Sequence, residues 1–64
     1  MTLLELNFLR RKARTEAAGL LDAAMAGGRA LTIAEQVRFD GLTARINELD
    51  AAYSERESLR KLAN

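Results

Sequence analysis

In Ala26-Gly27-Gly28-Arg29-Ala30-Leu31-Thr32-Ile33-Ala34-Glu35, two adjacent glycines precede a threonine that stands three residues before a glutamate. Glycine tolerates positive φ and disfavours helix, so the pair marks the one strong break in a chain that contains no proline. Thr32 and Glu35 have capping-box spacing, in which each side chain satisfies the other residue's orphan backbone N–H at a helix start. Thr2-Leu3-Leu4-Glu5 repeats the same spacing at the N-terminus. Two starts and one break predict two helices, at about 3–26 and 33–62, folded by residues 27–32 into an antiparallel hairpin. At 1.5 Å per residue the arms measure roughly 36 and 45 Å, so the second overhangs the first.

The second arm has the cleaner apolar period. Phe39, Leu42, Ile46, Leu49 and Tyr53 follow steps of three and four, the seam of a coiled coil. Past Tyr53 the seam positions are Arg56 and Arg60, while Leu59 and Leu62 lie one place off, which turns the stripe toward another neighbour. In the first arm Leu6, Leu9, Ala13, Ala17, Leu20 and Ala24 form a stripe. Leu4, Phe8, Leu21 and Met25 are expected to widen it into a face broader than one partner helix covers. Small residues at Ala13, Ala17, Ala18 and Gly19 would admit another backbone closely, although alanine's helix propensity accounts for them as well. The expected core and self-association residues are Leu6, Leu9, Leu20, Leu21, Phe39, Leu42, Ile46, Leu49 and Tyr53. The caps are Thr2, Glu5, Thr32 and Glu35. Gly19 and Gly41 each cost a helix interior about 1 kcal/mol relative to alanine, which a long helix absorbs.

Length and composition agree. Sixty-four residues form one domain, 1–64, and a core this small rarely suffices without disulfides, a metal or a partner chain. Cysteine and histidine are both absent, which removes disulfides, the common zinc sites and the commonest general base. Association remains, so the hairpin is expected to assemble into an oligomeric helical bundle. The 48% hydrophobic content is too high for a disordered chain and the 30% charge too high for a membrane span. No signal-peptide pattern stands out, since the opening apolar run is broken at Glu5.

Neither an enzyme nor a cofactor or metal site is expected. Two helices with one apolar face enclose no pocket, and Glu48 and Asp50, like Glu55 and Glu57, sit two apart on a helix and point to different sides. They read as solvated surface. The one charge run is Arg10, Arg11, Lys12 and Arg14. It reads first as a solvated face, next as a contact for an acidic protein partner, and least as a nucleic-acid site, because no aromatic residue lies among the four for base stacking. Lys12 with Glu16 and Glu57 with Lys61 have ion-pair spacing. A membrane-surface helix over 3–14 is disfavoured by Glu5 and by the lack of tryptophan.

The segment Leu31-Thr32-x-x-Glu35-Gln36-x-x-Phe39-Asp40-x-Leu42, continued by Ile46, Leu49 and Asp50, resembles part of the N-terminal delta domain of tailed-bacteriophage major capsid proteins of the Hong Kong 97 fold. Leu20-Leu21-Asp22, Gly28-Arg29 and the N-terminal Leu-Glu-Leu with its basic run extend the likeness over roughly residues 4–62. In that family the delta domain is an internal scaffold. Its helices associate beneath the capsomers, guide assembly of the precursor shell, and are usually removed by a phage protease. The resemblance implies the same role here, with other copies and capsid subunits as partners and the host cytoplasm or procapsid interior as location. It implies too that Phe39, Leu42, Ile46 and Leu49 supply the hairpin and inter-subunit core, and that Thr32 and Glu35 set the second helix. The chain is then an excised delta domain or a free-standing relative. A small phage- or mobile-element-encoded helix pair that sheaths a protein partner, as an inhibitor or antitoxin does, is the alternative.

Overall fold

The computed structural model describes residues 1–63 and is a two-helix antiparallel hairpin, with α1 at Leu3–Ala26 and α2 at Ile33–Ala63. The described residues form no strand. The molecule is a rod of 50 × 17 × 14 Å.

Each helix starts where its threonine places it. Thr2 is in extended backbone, φ −81° and ψ 163°, and its Oγ1 accepts from the Glu5 backbone N–H at 3.1 Å. The Glu5 carboxylate accepts from the Thr2 hydroxyl at 3.2 Å, so only one side of the expected box takes its backbone form. At the second start both sides form. The Glu35 N–H donates to Thr32 Oγ1 at 3.1 Å, and the Thr32 N–H donates to Glu35 Oε1 at 2.9 Å.

The glycine pair closes α1. Gly28 takes φ +61°, the left-handed conformation that lets the chain turn back on the last carbonyls. Its N–H donates to Met25 O at 3.0 Å, and the Arg29 N–H donates to Ala24 O at 3.0 Å. Together these bonds form a Schellman motif, with Gly28 as the first residue past the cap.

The core is a thin seam. Leu6, Ala13 and Leu49 are buried, and Leu9, Leu42, Ile46, Ala52 and Tyr53 pack half-buried around them. Toward the turn, Ala17 and Ala24 are buried while Leu20, Leu31 and Phe39 are half-buried. Of the small residues in α1, those at 13, 17 and 24 lie on the seam and are covered. Ala18 and Gly19 lie about 100° or more round the helix and are exposed, with nothing within 4 Å of where a Gly19 side chain would stand.

The expected broad face of α1 divides in two. Leu4 and Phe8 stand about half a turn away from Leu6 and Ala13, so they do not widen the seam but form a second surface on the far side. Leu4 is 81% exposed and Phe8 65% exposed. Met25 is exposed as well, and Leu21, 41% exposed, does not enter the hairpin core because its position falls on the flank beyond the buried stripe. The physical reason is spacing: residues two apart differ by about 200°, and Leu4-Glu5-Leu6-Asn7-Phe8 puts its large apolar groups on both sides.

Candidate interaction surfaces

Four residues beside the seam form the principal polar contact between the helices. Arg10 and Arg14, one turn apart on α1, both reach Asp50 on α2. Arg14 Nη2 donates to Asp50 Oδ1 at 3.1 Å and to Oδ2 at 2.9 Å. Arg10 Nε lies 2.8 Å from Oδ1 but is not aligned for a hydrogen bond, so that contact is coulombic. The Arg10 guanidinium also lies over the Tyr53 ring, 4.2 Å from its centroid, and covers the seam's aromatic edge. Asp50 is therefore clamped by both arginines while its side chain stays partly in solvent. The signal for it was the i, i+4 spacing of Arg10 and Arg14 on the seam's flank, facing a carboxylate one residue past Leu49.

This contact splits the basic run. Arg10 and Arg14 are occupied within the hairpin, and among the described residues Arg11 and Lys12 have no acidic group within 4 Å. Both are exposed. Lys12 does not take Glu16. The Glu16 carboxylate lies nearest Arg38 of α2, at 3.9 Å, because position 16 sits between the seam and the outer face. Glu57 and Lys61 do pair, at 3.7 Å.

A third polar group binds the turn. Arg29 Nη1 donates to Glu35 Oε1 at 2.7 Å, Nη2 donates to Oε2 at 3.2 Å, and Nη1 also meets the Ala30 carbonyl at 3.1 Å. The hydrogen bond from Arg29, then that from the Thr32 backbone N–H, hold the Glu35 carboxyl down at about 2, from an ordinary 4.5. Arg29 is correspondingly raised by the same partner. The capping pair was legible as a motif, but the arginine that completes it depends on the path of the turn.

The apolar groups left outside the seam gather at the two ends of the rod. At the open end are Met1, Leu4, Phe8, Leu59 and Leu62, all exposed. Leu4, Glu5, Phe8 and Leu9 line one shallow groove there, and Met1, Leu6, Ala52, Glu55, Arg56 and Leu59 line another. At the turn end Met25, Ile33 and Val37 are exposed, with Ile33 and Val37 about half a turn from the α2 seam. The expected core residues Leu6, Leu9, Leu42, Ile46, Leu49 and Tyr53 meet in one cluster, with Leu20 and Phe39 half-buried nearer the turn.

The depressions found are open grooves. Among the described residues no three of His, Cys, Asp and Glu come together in a way that would hold a metal ion, and no helix is long and apolar enough to cross a membrane. Comparison of the chain with protein families, with characterised proteins and with solved structures finds no match.

Proposed function

We propose that this chain is a non-catalytic assembly module, a helical hairpin that associates with copies of itself and with capsid subunits to scaffold a phage precursor shell. The observation that carries the association half is the set of large apolar side chains left outside once the hairpin has closed, Leu4, Phe8, Ile33, Val37 and Leu62 above all. Clusters of exposed apolar groups on a small chain mark contact surfaces. The thin seam points the same way, because a core of this size supplies only a few kcal/mol and leaves room for a partner to add to stability. The capsid half rests on the resemblance of the Leu31–Asp50 segment to the delta domain, and the procapsid interior or host cytoplasm follows from it as location. Scaffolding suits modest interfaces, since many weak contacts give a reversible lattice where one large permanent core would not.

Two measurements test this reading. Sedimentation across a wide concentration range is expected to show mass and helicity rising together, and a fully folded monomer at high micromolar concentration would count against it. Capture with tagged chain from its native host, followed by mass spectrometry, is expected to recover shell-forming protein. Recovery of one unrelated protein at fixed stoichiometry would support the inhibitor-like helix pair, for which exposed Arg11 and Lys12 beside Phe8 offer a surface to an acidic partner.

A further inference from the structure

We infer that two copies of this chain join end to end through their open ends, the last turns of α2 in each lying in the Leu4–Phe8 groove of the other. The inference rests on the self-association reading above and adds the surface, the number of copies and the symmetry.

One observation leaves room for a partner, and two place it at that end. The first is area. A compact folded monomer of 7.1 kDa exposes about 4,100 Å², whereas this rod exposes 4876 Å². The excess of roughly 800 Å² is the share that one partner contributes to a standard interface. It follows from the elongated shape, and side-by-side packing of α1 on α2 cannot remove it.

The second is the overhang. Every described residue from Ser58 onward is exposed, although the segment is helical to Ala63. Only Leu59 of this segment borders α1, in the groove it shares with Met1 and Leu6, so these last one and a half turns have little of the packing that holds the rest of α2 and are marginal in water on their own. Its apolar groups are Leu59 and Leu62, and the groove at the same end presents Leu4, Phe8 and Leu9.

The third is charge. The groove carries Glu5, which has no basic group within 4 Å among the described residues. The overhang carries Arg60, which has no acidic group within 4 Å among the same residues, and Lys61. At its outer end, beside Leu4, the groove is thus apolar and acidic where it meets the apolar and basic helix end, while the exposed Arg11 and Lys12 lie past Phe8, one turn further from that end. Groove and overhang both belong to one end of the rod, so a single twofold axis satisfies both halves of the contact and closes the assembly at two copies. The turn end has Ile33 and Val37 but no overhanging segment to occupy a groove, so it does not form this contact.

The test compares the two ends. Phe8→Glu and Val37→Glu place the same charge on exposed, outward-facing positions at opposite ends, and neither touches the buried seam. Sedimentation equilibrium with circular dichroism is expected to show wild-type chain passing from monomer to dimer. Phe8→Glu should raise the dissociation constant at least about tenfold at unchanged low-concentration helicity, and Val37→Glu should leave it unchanged. Should Phe8→Glu disturb α1 itself, Leu62→Glu on the last turn tests the other half of the contact and should weaken dimers similarly. If Val37→Glu disperses the assembly while Phe8→Glu and Leu62→Glu do not, self-association stands and the open-end contact is overturned. An assembly larger than a dimer overturns the twofold closure. Wild-type chain that stays monomeric throughout overturns this inference and the self-association reading together.

Discussion

The two ends of the hairpin are held by different physics. At the turn, polar bonds define the structure: a Schellman closure on Gly28, a two-sided cap between Thr32 and Glu35, and Arg29 gripping the same carboxylate. Toward the open end, side-chain packing does the work, with Leu6 and Leu49 buried and Arg10 laid over Tyr53, while the cap on Thr2 is one-sided. The same four-residue pattern, Thr-x-x-Glu, therefore has two outcomes. At Thr32 the chain arrives from a tight turn that brings a third group to the carboxylate. At Thr2 the carboxylate meets only the threonine hydroxyl, and the neighbouring apolar side chains remain uncovered.

That contrast can be broken hardest at the packed end. Leu49→Asp buries an uncompensated charge in the seam and should cost about 4 kcal/mol or more, comparable to the whole stability of so small a core. Loss of most far-ultraviolet helical signal is expected, and a variant with unchanged helicity would show that packing does not hold this end.

Glycines separate turn from helix next. Gly28→Ala forces a side chain into φ +61° and should destabilise by about 1 kcal/mol. Gly19→Ala, in a helix interior with open space around it, should stabilise by about 0.5–1 kcal/mol. Thermal melts of the two variants should thus shift in opposite directions.

The caps sharpen the comparison on a finer scale. Thr32→Ala should cost about 1 kcal/mol, since it breaks a cap that also positions Glu35, and Thr2→Ala about 0.5 kcal/mol at a helix end that has less to lose. Equal losses in chemical denaturation would mean that the two ends are capped alike.

The smallest effect is acid-dependent and confined to the turn. Glu35 has a folded value below its ordinary one, so its contribution is complete above about 4.5 and is lost as pH falls from there toward about 2. The Thr32 amide resonance should follow that window by NMR, and Glu35→Gln should abolish the pH dependence while leaving the open end unmoved.

Much of the fold could be read from local patterns. Both helix starts and the break at Gly27-Gly28 came out at their residues, because capping and positive φ are decided within four or five positions of chain. The α2 seam was equally plain, with Phe39 to Tyr53 at alternating steps of three and four. Less was legible on α1. Nothing within its first ten residues distinguishes which apolar group faces the partner helix, and Leu4 and Phe8 pair with each other at i, i+4 as convincingly as Leu6 does with Leu9 at i, i+3. The exposed apolar surface at the open end is built from those misassigned residues. Its polar counterpart was hidden for a related reason: Asp50 looked solvated because its partners lie 36 and 40 positions away in sequence.

Taken alone, the chain's residues determined two helices, their limits, the turn between them and the α2 seam, since each of these depends on backbone bonding and periodicity over short range. Which face of α1 the seam would cover, which arginines it would consume, and hence which apolar groups stay outside were decided only when α2 docked. That docking fixes the rotation of one helix about its axis against another, and no spacing within a single helix carries that angle.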